Sequence, residues 1–198
     1  MREAGDQPVL TKDAIRVRIR AQRQAHDAAW VARTSGLVAA RVLDLPEFVA
    51  AGTVFGYLAM AGEVQTQGIL DACWQRGKQV CVPAYDAPRG RYAPARLGPA
   101  DELRPGHWQV LEPAQVAWVD DARIDLAVVP ALAFDLRGGR IGHGVGYYDR
   151  ILAELKGRLG FKLGIGFEFQ MVAAVPVDAH DVRMDAVVTE EAVYRTTR

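Results

Sequence analysis

"RIDLAVVPALAFDLRGGRIGHGVGYYDR", residues 123–150, carries the strongest structural signal of the chain. Residues 123–134 are apolar on both faces, as expected for a buried parallel strand. Residues 137–150 then contain five glycines, and the segment that starts at Tyr147 has the pattern of a helix. A strand, a glycine-rich loop and a helix in this order predict an α/β unit. Such units bind ligands at the carboxyl end of the strand.

The rest of the chain alternates between predicted helices and predicted strands. Thr11 is a suitable N-cap for a helical region, one helix or two, that extends to residue 45. A further helix is predicted to end at Gly77. The segments predicted as strands are 53–59, 78–85, 91–97, 161–169 and 184–195. This alternation predicts a mostly parallel sheet with helices on both faces. We expect residues 11–198 to form one domain and residues 1–10 to be disordered.

Composition excludes some classes of partner. The 198 residues include 24 Lys and Arg and 24 Asp and Glu, so the formal net charge is zero. Overall charge therefore does not support a nucleic-acid or membrane-surface partner, and any anion site must be local. The polar N-terminus and the lack of an apolar run of about 20 residues predict neither a signal peptide nor a membrane span. We expect a cytoplasmic monomer.

The two cysteines, Cys73 and Cys81, do not form a CxxC motif and have no histidine at ligand spacing. We therefore expect small, reduced, apolar residues, with a disulfide between them as the alternative. No metal site is predicted from cysteine and histidine.

The glycine-rich loop has the chemistry of a phosphate site. A helix N-terminus offers unpaired N–H groups, glycines let an anion approach the backbone, and Arg140 adds a permanent cation. The loop lacks the GK[ST] of a P-loop, and the spacing of Gly142, Gly144 and Gly146 is not that of a dinucleotide-binding fingerprint. The pattern favours a di- or triphosphate ligand over the alternative of a surface turn.

The same residues resemble a known family. AFDLRGGRIGHGVGYYDRIL, residues 133–152, resembles the signature F-D-x-x-G-x-R-[LI]-G-x-G-G-G-Y-Y-D-R of the 5-formyltetrahydrofolate cyclo-ligase family. Val145 is the main departure, because it stands where the family has the second of three consecutive glycines. Other segments resemble family motifs in the same order: TKDAIRVRIRAQR (11–23), GYLAMAGEVQT (56–66), GKQVCVP (77–83), VLEP (110–113) and VPVDAHDVRMDAVVTE (175–190).

The resemblance implies a fold and a reaction. The fold is a three-layer α/β/α arrangement with a parallel-rich sheet. The reaction is the ATP- and Mg²⁺-dependent closure of 5-formyltetrahydrofolate to 5,10-methenyltetrahydrofolate, with ADP and phosphate released and a phosphorylated formyl intermediate. Two alternatives stay open. One is a non-catalytic nucleotide- or folate-binding relative, and the other is an ATP-dependent enzyme for another N-formyl or pterin compound.

The resemblance also assigns residues to the ATP end of the site. Lys12, Arg16 and Arg20 recur every four residues and so share one helix face; by themselves they predict only a solvated face. The resemblance implies that Lys12 and Arg16 bind ATP phosphates, and it leaves Arg20 less certain. It adds the following residues to the ATP site: Arg140, Gly142, Gly144, Gly146, Tyr147 and Asp149. It implies Asp149 and Asp185 as Mg²⁺ ligands, with Asp181 as a third candidate.

At the folate end, the resemblance implies that Tyr148 lies beside the reacting formyl group, so that Arg140 and Tyr148 are the catalytic candidates. Glu63 is expected to pair with the donor edge of the pterin. The expected walls of the folate site are Tyr57, Met60 and Trp108, with Glu112 on the far side. His143 occupies a variable family position and is expected to take no part.

Overall fold

The computed structural model describes residues 11–119, 123–144, 146–178 and 181–196. Residues 1–10 and Val145 lie outside the described residues, as does the side chain of Trp108. The helices are α1 (Lys12–Gln24), α2 (Ala28–Leu43), α3 (Pro46–Ala50), α4 (Gln67–Gln75) and α5 (Tyr147–Glu154). The strands are β1 (Thr53–Phe55), β2 (Gln79–Asp86), β3 (Arg91–Arg96), β4 (Leu103–Pro105), β5 (Leu111–Pro113), β6 (Ile124–Pro130), β7 (Ala133–Phe134), β8 (Arg140–Ile141), β9 (Leu159–Ile165), β10 (Ala186–Val188) and β11 (Val193–Arg195).

Seven strands form the central sheet in the order β11-β10-β9-β6-β1-β2-β3. The five inner strands are parallel, and the edge strands β3 and β11 are antiparallel to their neighbours. Strand β6 lies in the middle, where Val54 of β1 pairs with Leu126 and Leu163 of β9 pairs with Val128. The prediction of a mostly parallel sheet is confirmed, and β6 is its buried centre.

Helices cover both faces of this sheet. Leu126 and Val128 belong to the core cluster that contains residues of α2, α3 and α4. Ala127 and Val129 belong to the opposite cluster, which contains Ile151 of α5. The alternation of side chains along β6 therefore supplies both cores, as the doubly apolar sequence requires. The result is the expected three-layer α/β/α arrangement.

Several predicted elements are shorter than the sequence suggests. The helical region 11–45 breaks at Asp27, whose side chain caps α2 by accepting the N–H of Trp30. The strand predicted over 123–134 breaks after Pro130, because β7 turns away to pair with β8. Buried Asp135 stabilises this hairpin by accepting backbone N–H groups of residues 137, 139 and 175. Ala133 and Ile141 of the hairpin pack in one apolar cluster with Ile15 and Ile19 of α1.

Cys73 and Cys81 are buried and are not joined by a disulfide in this structure. Burial raises the pKa of Cys73 to about 11 and that of Cys81 to about 12. Both thiols are therefore packing residues. Within the described residues, no helix combines the length and the apolar character needed to cross a membrane.

Candidate active site

A cavity of about 510 Å³ lies at the carboxyl ends of β1 and β6. Its walls come from α1, the segment after β1, the hairpin β7–β8, the first turn of α5, and the loop that contains Asp178 and Asp181. This volume is in the range of sites for small organic ligands. The position agrees with the ligand site predicted after the buried strand.

Lys12 and Arg16 point from α1 into one end of the cavity. The Nζ of Lys12 lies 2.7 Å from Asp178 Oδ2 and 2.8 Å from Asp181 Oδ2. Burial lowers the pKa of Lys12, but its bonds to the two carboxylates outweigh that effect and leave the pKa raised. Arg16 bonds Asp13 at 2.5 Å and donates its Nε to the carbonyl of Gly142 at 3.1 Å. Arg16 therefore contacts the glycine loop directly, and Lys12 contacts the loop that contains Asp178 and Asp181.

The glycine loop itself is shaped by close approach to α1. Gly144 has φ +113°, and a Cβ there would lie 3.7 Å from the guanidinium carbon of Arg16. Gly146, with φ +63°, is the N-cap of α5. Backbone angles of this kind favour glycine. Arg20 lies at the rim, 3.5 Å from the carbonyl of His143.

Arg140 is a buried cation at the floor of this end, 5% exposed. One Nη lies 2.5 Å from Asp149 Oδ1. Its buried Nε has no hydrogen-bond partner among the described residues. Burial lowers the pKa of Arg140, while Asp149, Tyr148 and Asp181 act in the opposite direction. A buried donor without a partner is costly, so an anionic ligand fits this position.

Of the acids predicted as metal ligands, Asp149 and the third candidate Asp181 lie in the cavity, and Asp185 does not. Asp178 lines the cavity as well. Asp185 lies at the amino end of β10, where its Oδ2 accepts Lys162 Nζ at 2.5 Å and Lys162 N at 2.9 Å. The structure therefore does not bring Asp185 to Asp149, whereas Asp181 lines the same cavity as Asp149.

Carboxylate oxygens of this kind fit Mg²⁺, which binds one or two carboxylates together with phosphate oxygens. Within the described residues no group of three acidic, His or Cys side chains is arranged to hold a metal ion. Asp149 and Asp181 are instead paired with Arg140 and Lys12. A metal with an anionic ligand can replace these partners, since it brings positive charge to the acids and negative charge to the cations.

The other end of the cavity is aromatic and contains one buried acid. Glu63 is 4% exposed, and its Oε2 accepts the N–H of Met60 at 3.1 Å. Tyr57 donates its hydroxyl to the carbonyl of Val64 at 2.8 Å. Burial, reinforced by the charge of Glu63, raises the pKa values of Tyr57 and Tyr148 well above the ordinary range. Both phenols are neutral walls beside a single carboxylate, and half-exposed Met60 lines the rim.

Tyr147 and Tyr148 occupy different surroundings although they are adjacent. Tyr148 lies with its ring 5.8 Å from the guanidinium carbon of Arg140. Tyr147 packs edge-on against Tyr92, with ring centroids 4.3 Å apart, and its buried hydroxyl has no hydrogen-bond partner among the described residues. The pair thus contributes to both sides of the cavity.

Sequence reasoning missed several lining residues. His143 lines the cavity with its Nε2 3.6 Å from Glu63 Oε1, so it is not remote from the site. Asp178 and Tyr92 also line it. Glu112 does not line the cavity. Its buried carboxylate instead accepts the backbone N–H of Tyr85. Tyr92 comes from an edge strand distant in sequence, so no local pattern could have identified it. Asp178 could have been noticed beside Asp181.

The model of the 5-formyltetrahydrofolate cyclo-ligase family matches residues 9–190. The chain belongs to this family. It is 30% identical over 181 residues to the 5-formyltetrahydrofolate cyclo-ligase of Escherichia coli K12, a match that covers 89% of this chain and 98% of the relative. The Mus musculus 5-formyltetrahydrofolate cyclo-ligase is 27% identical over 191 residues, covering 91% and 94%. Membership of the cyclo-ligase family makes the chain an enzyme of the ligase class.

Solved structures of cyclo-ligase relatives share the fold. The NMR structure of Aquifex aeolicus 5,10-methenyltetrahydrofolate synthetase matches with a TM-score of 0.80 and 30% identity, covering 96% of this chain and 94% of that chain. A 5,10-methenyltetrahydrofolate synthetase from Mycoplasma pneumoniae matches with a TM-score of 0.71 at 20% identity, covering 91% and 99%, which supports the fold. The family resemblance found in the glycine-rich segment is thereby confirmed.

Proposed function

We propose that the protein converts 5-formyltetrahydrofolate to 5,10-methenyltetrahydrofolate in a Mg²⁺-dependent reaction that cleaves ATP to ADP and phosphate, the phosphate leaving with the formyl oxygen. The observation that carries this proposal is the division of one cavity. Its cationic end holds Lys12, Arg16 and Arg140, and its aromatic end holds Glu63 and neutral tyrosines. A triphosphate suits the first end and a flat ring with N–H donors suits the second. The relatives, a 5-formyltetrahydrofolate cyclo-ligase and a 5,10-methenyltetrahydrofolate synthetase, support the same reaction.

The ATP phosphates would lie between α1 and the glycine loop. Lys12 and Arg16 supply charge from one side, and Arg140 supplies it from the floor, where its Nε, which has no partner among the described residues, supports an anion. The backbone of Gly142, Gly144 and Gly146 leaves room for close approach, and the first turn of α5, beginning at Tyr147, adds N–H donors. Phosphoryl transfer depends mainly on such positioning and charge neutralisation.

Asp149 and Asp181 are the residues that would hold Mg²⁺. Both line the cavity and both interact with the charge of Arg140. When bound, the ion would neutralise charge that develops on the phosphates. We do not carry Asp185 into the proposed site, because its carboxylate is bonded to Lys162 away from the cavity.

The substrate supplies both nucleophiles of the proposed reaction. The formyl oxygen attacks the γ-phosphorus of ATP and ADP leaves, which converts that oxygen into a good leaving group. N10 of the folate then attacks the activated formyl carbon, loses its proton, and phosphate departs with the former formyl oxygen. The enzyme's task is to hold the formyl group against the phosphate. Tyr148 stands between the aromatic end and Arg140 and, as a neutral phenol, can donate to that oxygen.

The folate ring would lie against Tyr57 and Met60, with Glu63 accepting its N–H donors. One carboxylate oxygen of Glu63 is held by the Met60 N–H, and the other faces His143 across the opening. Trp108 stays a predicted wall.

The reaction is tested by mixing the protein with 5-formyltetrahydrofolate, ATP and Mg²⁺ and following the near-ultraviolet absorbance of the methenyl product. We expect a rise that requires all three components. No rise, in a protein that binds ATP and 5-formyltetrahydrofolate by calorimetry, would identify a non-catalytic relative. Turnover of a different N-formyl or pterin compound would identify the other alternative.

A further inference from the structure

Arg23, in the last turn of α1, extends into the protein behind the aromatic end of the cavity. Its Nη2 donates to the carbonyl of Ala131 at 2.9 Å, directly after β6. The same carbonyl accepts Gln170 Nε2 at 2.7 Å. The Nε of Arg23 is buried and has no hydrogen-bond partner among the described residues. This guanidinium therefore joins α1 to the cavity wall formed by Ala131.

The stem of Arg23 also supports the segment that presents Glu63. Gly62 has φ +77°, and a Cβ there would lie 3.8 Å from Arg23 Cδ. The residue before Glu63 thus rests on the arginine side chain. Burial lowers the pKa of Arg23, and the leading effect in the opposite direction is the negative charge of Glu63.

Glu63 has a different neighbour on its open side. His143 Nε2 lies 3.6 Å from Glu63 Oε1, but the His143 side chain is 43% exposed. A contact with so much solvent around it contributes little. Tyr57 and Tyr148 are neutral phenols and supply no charge. A buried carboxylate is stabilised by nearby positive charge, and Arg23, a partly buried cation whose stem supports the neighbouring Gly62, supplies such charge.

We propose that Arg23 is a positioning residue that supports the segment presenting Glu63 to the paired N–H donors of a pterin ring and fixes the adjacent Ala131 carbonyl. This proposal rests on the proposed function. It makes Arg23 one of the residues that determine the specificity of the enzyme for folate. Arg23 does not touch the substrate; it acts through Glu63 and the cavity wall. Helix α1 also carries Lys12 and Arg16. Through Arg23, the helix that contributes to the phosphate site therefore also fixes the position of Glu63.

The test compares Arg23→Met with Arg18→Met. Arg18 lies on the same helix with an exposed side chain, so it controls for the loss of one positive charge from α1. Calorimetry measures the Kd for 5-formyltetrahydrofolate and, separately, the Kd for ATP. We expect Arg23→Met to weaken folate binding by roughly tenfold or more, because the variant loses the positive charge near Glu63 and the donor that fixes the Ala131 carbonyl, with little change in ATP binding. Arg18→Met should bind both as the unaltered protein does.

Arg23→Lys separates positioning from folding, since lysine restores the charge without the fork of donors. We expect it to recover part of the folate affinity. The proposal is overturned if Arg23→Met leaves folate affinity unchanged, or if folate and ATP affinities fall together with the melting temperature. Binding requires no turnover, so an unaltered protein that binds folate without forming product would contradict the proposed reaction and still allow this test.

Discussion

Two acid–lysine pairs at opposite ends of the central sheet show how similar contacts serve different purposes. At the cavity, Lys12 lies 2.8 Å from Asp181, and both side chains line the space proposed for the phosphates. At the amino end of β10, Lys162 lies 2.5 Å from Asp185, and the same carboxylate oxygen accepts the backbone N–H of Lys162. The first pair is the one proposed to exchange partners with a ligand. The second joins two neighbouring strands and stabilises the fold.

Loss of Arg140 should have the largest effect at the cavity end. Arg140→Ala removes a buried charge and leaves Asp149 without its 2.5 Å partner. We expect kcat/KM to fall by roughly 30- to 1,000-fold, the equivalent of about 2–4 kcal/mol. Steady-state kinetics with varied ATP measures the loss. Lys162→Met is the matched control, because it breaks an ion pair at the other end of the sheet and should retain activity. Unchanged kinetics in Arg140→Ala would remove Arg140 from the site.

Asp181→Asn should give the next largest effect. The change keeps the size of the side chain but removes a charge proposed to hold Mg²⁺. We expect the Mg²⁺ concentration for half-maximal activity to rise about tenfold, which corresponds to roughly 1.4 kcal/mol of binding. A Mg²⁺ titration at saturating ATP measures this, and calorimetry of ATP with and without Mg²⁺ provides a readout independent of turnover. An unaltered titration would place the metal elsewhere.

The contrast between Asp181 and Asp185 also marks the limit of sequence reasoning. The two acids are four residues apart in VPVDAHDVRMDAVVTE, and both have the residue type that Mg²⁺ requires. Asp185 directly precedes β10 and bonds along the sheet, whereas Asp181 lies in the preceding loop beside α1. Only the three-dimensional path of the chain distinguishes them. Residue type and order in the sequence were therefore insufficient to predict which of the two acids lies in the cavity.

The sheet was easier to predict because its signals are local. The doubly apolar pattern of 123–134 identified the central strand, and the turn at Gly77 separated α4 from β2. The break after Pro130 was missed, since the pairing of Phe134 with Arg140 depends on residues beyond the apolar run. Contacts between distant segments, such as Arg23 with Ala131 or Tyr92 with Tyr147, have no local pattern at all.

Asp185→Asn makes the same change as Asp181→Asn, but at the amino end of β10, away from the cavity. We expect activity and Mg²⁺ dependence close to those of the unaltered protein, because Asp185 does not line the cavity. Stability should fall by about 1–2 kcal/mol, since a partly buried ion pair loses its charge while a side-chain oxygen remains to accept the Lys162 N–H. Denaturant unfolding measures the change. A raised Mg²⁺ requirement with normal stability would reverse the roles assigned to the two acids.

Asp178→Asn should produce the smallest effect. It measures how much an exposed carboxylate at the cavity contributes to ATP binding. The Asp178 side chain is 60% exposed, and Lys12 keeps Asp181 as a second partner. The backbone N–H of Asp178 donates to Asp181 at 2.8 Å, and this bond survives the substitution. We expect the KM for ATP to fall by no more than about threefold, since exposed ion pairs contribute about 0.2–1 kcal/mol and Lys12 becomes easier to transfer to phosphate. The difference should shrink at high salt, because screening weakens exposed pairs. A tenfold rise in KM for ATP would show instead that Asp178 acts on the bound metal, and the exchangeable acids of the cavity would then number three.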